Sequence, residues 1–379
     1  MVLLLCTLLA ACASTPVTYR TDDLFSDALF QAASERVSGD DVFALSDEMR
    51  RYLYTEIASR IREKGSERGL FDALYNARDL KLDYDSVMTR NASEAFAAHS
   101  GNCLSLVIMT AAFAKELGLP FRFQSVLLDE TWSRSGDVQF FIGHVNLTLG
   151  RKTVDVGYGR GKNDALTIDF LPPEEIRGLP KRVIDEKTIV AMYMNNRSAE
   201  RYTQGQLDDA YWWARAAVAH DPRFVSAYNT LGVIYQRHGN LPEAERVLRY
   251  ALEREPDNPK VMSNLISVLN NTGQSAEATV LTRRMERIDP DPAFSFFSRG
   301  VRSMREGDYA AARDLFAKEV DRAPYYHEFH FWLALAYVGL GDTAQARKHL
   351  NIAIESSTSR GERELYATKL DRISASRVQ

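Results

Sequence analysis

The chain has 379 residues, enough for two to three domains at about 150 residues each, so a single small domain is excluded. Apolar residues make up 45% and charged residues 26%, a balance that suits folded globular domains and excludes wholesale disorder. The 47 Lys and Arg against 51 Asp and Glu give a net charge of -4, without the positive excess that phosphate binding favours, which argues against nucleic acid as a partner.

The first residues, 1–11, form an uncharged apolar run, MVLLLCTLLAA, followed by Cys12-Ala13-Ser14. The run is shorter than the roughly 20 apolar residues that span a bilayer, and an apolar stretch ending in small residues reads as a secretory signal. Leu9-Ala10-Ala11-Cys12 resembles the lipobox of bacterial lipoproteins. The resemblance implies that 1–11 are a signal peptide, that Cys12 is lipidated, and that the protein faces the periplasm. Ala13 after the cysteine, where Asp would mark inner-membrane retention, points to the outer membrane. No Lys or Arg precedes the run, which would place the true start upstream. Processing would remove Cys6, leaving Cys103 as the free thiol in an oxidising compartment. With three cysteines in all, neither a disulfide-rich scaffold nor a Cys-based zinc cluster can form.

Residues 12–40 are expected to be a tether, and 41–187 a domain mixing helical and strand patterns. Residues 41–63 carry Phe43, Leu45, Met49, Leu53 and Ile57 at helical spacing and predict an amphipathic helix. After Gly101-Asn102, the series Cys103, Leu104, Val107, Ile108 and Ala111 predicts a helix ending near Leu117-Gly118-Leu119-Pro120. Cys103 then stands at a helix N-terminus, where unpaired amides and the macrodipole favour a thiolate. Runs at 121–128, 138–149, 152–157 and 166–171 predict an antiparallel meander. Gly150-Arg151 suits a two-residue turn, and counting outward pairs Leu147 with Val154, Val145 with Val156, Thr148 with Thr153 and Asn146 with Asp155. His144 is then diagonal to Asp155, within side-chain reach. Asp169, in Leu166-Thr167-Ile168-Asp169-Phe170, is the alternative partner.

A Cys on a helix N-terminus, followed by a His and an Asp on adjacent strands, resembles the transglutaminase-like cysteine hydrolase superfamily. The matching residues are Gly101-Asn102-Cys103, Gly118-Leu119-Pro120, His144 and Asp155, within about 90–172. Leu104 and Val145 stand where the family often has Trp and Ala. The resemblance implies an α+β papain/transglutaminase-like fold and a cysteine protease, amidohydrolase or acyltransferase. Cys103 would attack an amide or ester carbonyl, His144 would take its proton, and Asp155 or Asp169 would orient the ring. The backbone amide of Cys103, and the Asn102 side chain, would stabilise the oxyanion.

From 188 onward the chain repeats. Gly205, Gly239, Gly273, Gly307 and Gly341 recur every 34 residues, each followed five residues later by Ala210, Ala244, Ala278, Ala312 or Ala346. Pro222, Pro256, Pro290 and Pro324 close the first four units. The unit Tyr228, Leu231, Gly232, Tyr235, Gly239, Ala244, Leu248, Ala251, Pro256 resembles the tetratricopeptide repeat. The glycine turns between two antiparallel helices, the alanine admits their close approach, and the proline ends the second. The prediction is an all-α solenoid of five helix pairs over 188–356, with a capping helix in 357–379 near 361–376. Its groove would hold a protein or peptide. Tyr211, Trp212, Trp213, Tyr325, Tyr326, Phe329, Phe331 and Trp332 are expected mostly in helix packing, with groove contact the alternative.

No cofactor is expected. Gly157-Tyr158-Gly159-Arg160-Gly161 precedes no helical pattern, so no phosphate loop is formed. His327 and His330 lack a third ligand nearby in sequence and read as repeat packing, not as a metal site. The two functional classes that the residues leave open are an enzyme acting through Cys103 and a non-catalytic envelope scaffold. The substrate, and water against amine as acceptor, are not legible.

Overall fold

The computed structural model describes residues 21–76, 80, 82–85, 88–126, 132–135, 138–141, 144–150, 165–170, 179–291, 294–324, 326–357 and 360–375. Cys6, Cys12, Asp155 and Tyr325 lie outside the described residues, as do the expected signal peptide and the expected strand over 152–157.

Helix α1 spans Asp47–Tyr52, starting where the Ser46 hydroxyl accepts the Met49 N–H at 3.2 Å. It passes through a π-helical turn, Leu53–Ile57, into α2, Ala58–Lys64. The expected helix over 41–63 is thus present but begins at its cap. Helix α3, Ser66–Tyr75, follows Gly65, and α4, Ala92–Ala98, opens with a capping box between Asn91 and Glu94. Strands β1, Asp83–Tyr84, and β2, Ser100–Gly101, form a short parallel pair. Helix α5, Cys103–Glu116, is buried without interruption from Cys103 to Ala114, as expected of a helix that is apolar nearly all round.

Strand β3, Phe121–Val126, follows α5. The expected strand over 138–149 is two strands. β4, Trp132–Ser135, pairs with β5, Val138–Phe141, while β6, His144–Leu149, joins the main sheet. That sheet is completed by β7, Leu166–Ile168, and by β8, Lys181–Ile184, a strand that sequence reasoning missed. Its order is β7-β6-β3-β8. Leu147 lies between Phe123 and Ile168, and Thr148 between Arg122 and Thr167. Both edges of β6 are therefore taken, and the register that set Leu147 against Val154 is replaced. Alternation assigns each residue a face, but it cannot say which strand supplies the neighbour. Leu166-Thr167-Ile168-Asp169 offers the same alternation as 152–157.

The repeats form helix pairs: α6, Glu186–Thr203, with α7, Leu207–His220; α8, Val225–His238, with α9, Leu241–Arg254; α10, Pro259–Asn271, with α11, Ser275–Ile288; α12, Ser295–Glu306, with α13, Tyr309–Arg322; and α14, His327–Gly339, with α15, Thr343–Ser356. Helix α16, Arg360–Ala375, packs on α15. Each repeat glycine has positive φ, as at Gly239 with φ 94°, a conformation that costs any residue with a Cβ about 1–2 kcal/mol. The repeat alanines are all buried.

Two features depart from a plain solenoid. Residues 21–35, expected as tether, dock across the first two repeats. Leu24 and Phe30 are buried, and Phe30 stacks on Tyr211 with centroids 3.9 Å apart. The Trp212 indole N–H donates to the Gln31 carbonyl at 2.6 Å, and the Ser26 N–H donates to the Tyr235 hydroxyl at 2.8 Å. The second departure is a break after the third repeat. The N-terminal unit and repeats one to three share one apolar core, whereas residues from Phe294 onward build separate cores. Helix α11 buries only Ala278 and Leu281 and leaves Val280 and Ile288 exposed.

Candidate functional site

Cys103 is the first residue of α5 and is 3% exposed. Asn102 caps the helix. Its Oδ1 accepts the Ser105 N–H at 2.9 Å and the Ser105 hydroxyl at 2.8 Å, and its Nδ2 donates to Thr89 Oγ1 at 2.9 Å. The side chain that was expected to serve an oxyanion is therefore occupied with holding the helix end.

On β6, His144, Asn146 and Thr148 alternate with Val145, Leu147 and Leu149, and all six are buried. Both faces of the strand are covered, so the polar members need partners. Extending the β6–β7 register by one step beyond Leu147 and Ile168 sets Asn146 opposite Asp169 and His144 diagonal to it. His144 Nε2 stands 2.5 Å from Asp169 Oδ1, and Asn146 Nδ2 donates to Asp169 Oδ2 at 2.7 Å. Cys103 lies near enough to the His144 ring to raise its pKa. Asp169 thus occupies the diagonal position for which Asp155 was preferred.

Burial pushes the His144 ring toward its neutral form. The hydrogen bond to Asp169, the neighbouring Cys103 and the charges of both more than reverse that, and the pKa rises to about 9. Cys103, His144 and Asp169 are brought into one row, hydrogen-bonded between His144 and Asp169, while Asn102 flanks it as a cap. Sequence reasoning missed Asn146 as a member of the group. The available signal was its place two residues after His144 on the same face. Asn146 Oδ1 is buried without a partner among the described residues. The row can carry a proton between a sulfur and an imidazole whose orientation is held by a carboxylate.

His330 is buried, its Nε2 2.7 Å from the Pro324 carbonyl, its Nδ1 3.0 Å from His349 Nδ1. Since the carbonyl can only accept, Nε2 donates there and Nδ1 accepts from His349. His327 meets the Tyr366 hydroxyl at 2.9 Å. Among the described residues no group of three His, Cys, Asp or Glu could hold a metal, and no helix is long and apolar enough to cross a membrane. Of the repeat aromatics, Tyr211, Trp212 and Trp213 hold the docked 21–35 segment, and Phe329 packs in the core.

Residues 200–259, 237–295 and 303–359 match the tetratricopeptide repeat family. The C-terminal part of the chain is therefore built of tetratricopeptide repeats, a class that mediates protein–protein interaction through its stacked helices. A curated relative, Protein O-mannosyl-transferase TMTC1 of Mus musculus, is 26% identical over 126 residues, which take in 32% of this chain and 13% of that protein's length. Among solved structures, TTC0263, a thermophilic TPR protein of Thermus thermophilus, is 18% identical with a TM-score of 0.32, covering 48% of this chain and 98% of its own. YrrB, a TPR protein with an unusual peptide-binding site, is 21% identical with a TM-score of 0.26, covering 48% and 92%. Yeast Tom70 is 14% identical with a TM-score of 0.37, covering 49% and 40%.

Proposed function

We propose that the N-terminal unit is a transglutaminase-like cysteine hydrolase or acyltransferase working through Cys103, His144 and Asp169, and that the repeats bind its protein or peptide partner. The observation that carries this reading is the buried His144 ring, hydrogen-bonded to Asp169 and close to Cys103 at the start of α5. With Nε2 committed to Asp169, Nδ1 is the nitrogen left for the thiol proton. His144 already holds the proton taken from Cys103, so Sγ attacks the carbonyl carbon of an amide or ester as the thiolate, and the oxyanion is met by backbone N–H groups at the start of α5. His144 then returns the proton to the departing amine or alcohol, leaving a thioester. Water or an amine attacks the thioester, losing a proton to His144, and the thiol is released. Asp169 stays ionised throughout and keeps the ring in place. Lipidation of Cys12 would hold this unit at the envelope, facing the periplasm, with the outer membrane favoured by Ala13.

The test is alkylation by iodoacetamide across pH 4 to 9, mapped to Cys103 by mass spectrometry. His144→Ala is expected to slow the reaction at pH 6 by tenfold or more, since the thiolate is the reactive form and the imidazolium stabilises it. Equal rates in both proteins would overturn the reading and leave the non-catalytic scaffold. That alternative draws its support from the near-complete burial of Cys103 and from the long interaction surface of the repeats.

A further inference from the structure

The helix end that carries Cys103 is tied to the first repeat through one residue, Thr89. It lies between β1 and α4, is 1% exposed, and belongs to neither the sheet nor the catalytic row. Its hydroxyl oxygen accepts the Asn102 Nδ2–H at 2.9 Å and the Asn196 Nδ2–H, from α6, at 3.1 Å. Its backbone N–H donates to Glu200 Oε1, also on α6, at 2.6 Å. The hydroxyl oxygen accepts from both sides and the backbone N–H is anchored to α6, so Thr89 is a bridging node and not a passing contact.

On one side of the node, Asn102 is pinned at both ends of its amide, by Thr89 at Nδ2 and by Ser105 at Oδ1. The neighbouring Arg90 N–H donates to the Ser105 hydroxyl at 2.8 Å. On the other side, Glu200 is held by Arg197 at 3.2 Å, and Arg197 and its neighbour Arg201 face Glu35 of the docked N-terminal segment. A continuous, largely buried path of hydrogen bonds and ion pairs therefore runs from the segment through the first repeat helix to the residue before the thiol.

We propose that Thr89 is a positioning residue, which couples the first tetratricopeptide repeat to Cys103 by fixing the Asn102 cap against Asn196 and Glu200 of α6. The proposal rests on the reading of Cys103 as a nucleophile. A partner that displaces the segment or shifts α6 changes the pull on Thr89, and the thiol's alignment with His144 changes with it. Such coupling is reciprocal, so binding at the repeats and the alignment of the thiol bias each other.

The experiment compares pH–rate profiles for Cys103 alkylation in the full chain, with thermal unfolding measured on the same samples. Thr89→Val keeps the shape and the backbone N–H but removes the hydroxyl. It is expected to slow alkylation at pH 6 by about tenfold, the factor corresponding to one lost buried hydrogen bond, while Thr89→Ser restores the rate. Asn196→Ala alters only the repeat side of the node, and is expected to shift the profile in the same direction without changing residues around the thiol. A wild-type profile in Thr89→Val, or in Asn196→Ala, overturns the coupling while leaving the nucleophile reading intact. If Thr89→Val fails to fold, Asn196→Ala alone decides. A wild-type rate that does not depend on His144 overturns both.

Discussion

Asp169 decides the behaviour of His144. A buried imidazole without a partner would be neutral, but the carboxylate 2.5 Å away and the thiol raise its pKa to about 9. In the unfolded chain the ring titrates near 6.5. The folded value is the higher one, so the interaction stabilises fully below about pH 6.5 and its contribution is lost as pH rises through about 9. Asp169→Asn removes the charge but keeps the size. It is expected to cost about 1–3 kcal/mol at pH 7 and to flatten the pH dependence of stability between 6.5 and 9, as measured by urea unfolding at each pH. Unchanged pH dependence in the variant would show that the ring is not held as an imidazolium. At the same scale, Asn146 explains why the carboxylate does not swing away, since it occupies the second oxygen of Asp169.

Within the repeats, the limiting dimension is the distance between paired helices. A Cβ added at Gly232 of α8 would lie 2.6 Å from Leu248 Cγ of α9. Two effects of Gly232→Ala oppose each other: alanine favours a helix interior by about 1 kcal/mol over glycine, whereas forcing a methyl group into a packed seam costs about 1–3 kcal/mol. The contact is far inside van der Waals range and Leu248 is fully buried, so the steric term wins. The variant is expected to be less stable by about 1–2 kcal/mol, seen as a lower denaturant midpoint. A stabilised variant would mean that α8 and α9 can separate at little cost.

For the whole molecule, the division of apolar cores matters more than the count of repeats. Residues 21–288 share a core with the N-terminal unit, and 294–375 are built on Phe294, Phe297, Phe316 and Phe329, with a second cluster joined through α14. Repeat proteins unfold as one unit only where neighbouring interfaces are strong. Two transitions are therefore expected in thermal unfolding or native-state hydrogen exchange, one for each side of the break. Leu333→Ala should lower only the C-terminal transition, by about 2–5 kcal/mol. A single transition reported by probes on both sides would show that the interface near Pro290 is stronger than its burial suggests.

The five-pair solenoid and the helix bearing Cys103 were legible in the sequence because each depends on contacts within about one repeat length. Glycines every 34 residues, alanines five later, and an apolar helix after Asn102 are local statements, and local physics decides them. The pairing of His144 was half legible. Alternation puts it on a polar face beside Asn146 and calls for a diagonal carboxylate, but the two-residue turn at Gly150-Arg151 favours Asp155 with Asp169 as the alternative, and only the observed order β7-β6-β3-β8 brings Asp169 to the ring. The docked N-terminal segment, the Thr89 node and the break between cores left no readable periodicity. Their partners stand 13 to 229 residues apart, and only chain closure in three dimensions selects among so many equally plausible polar and apolar partners.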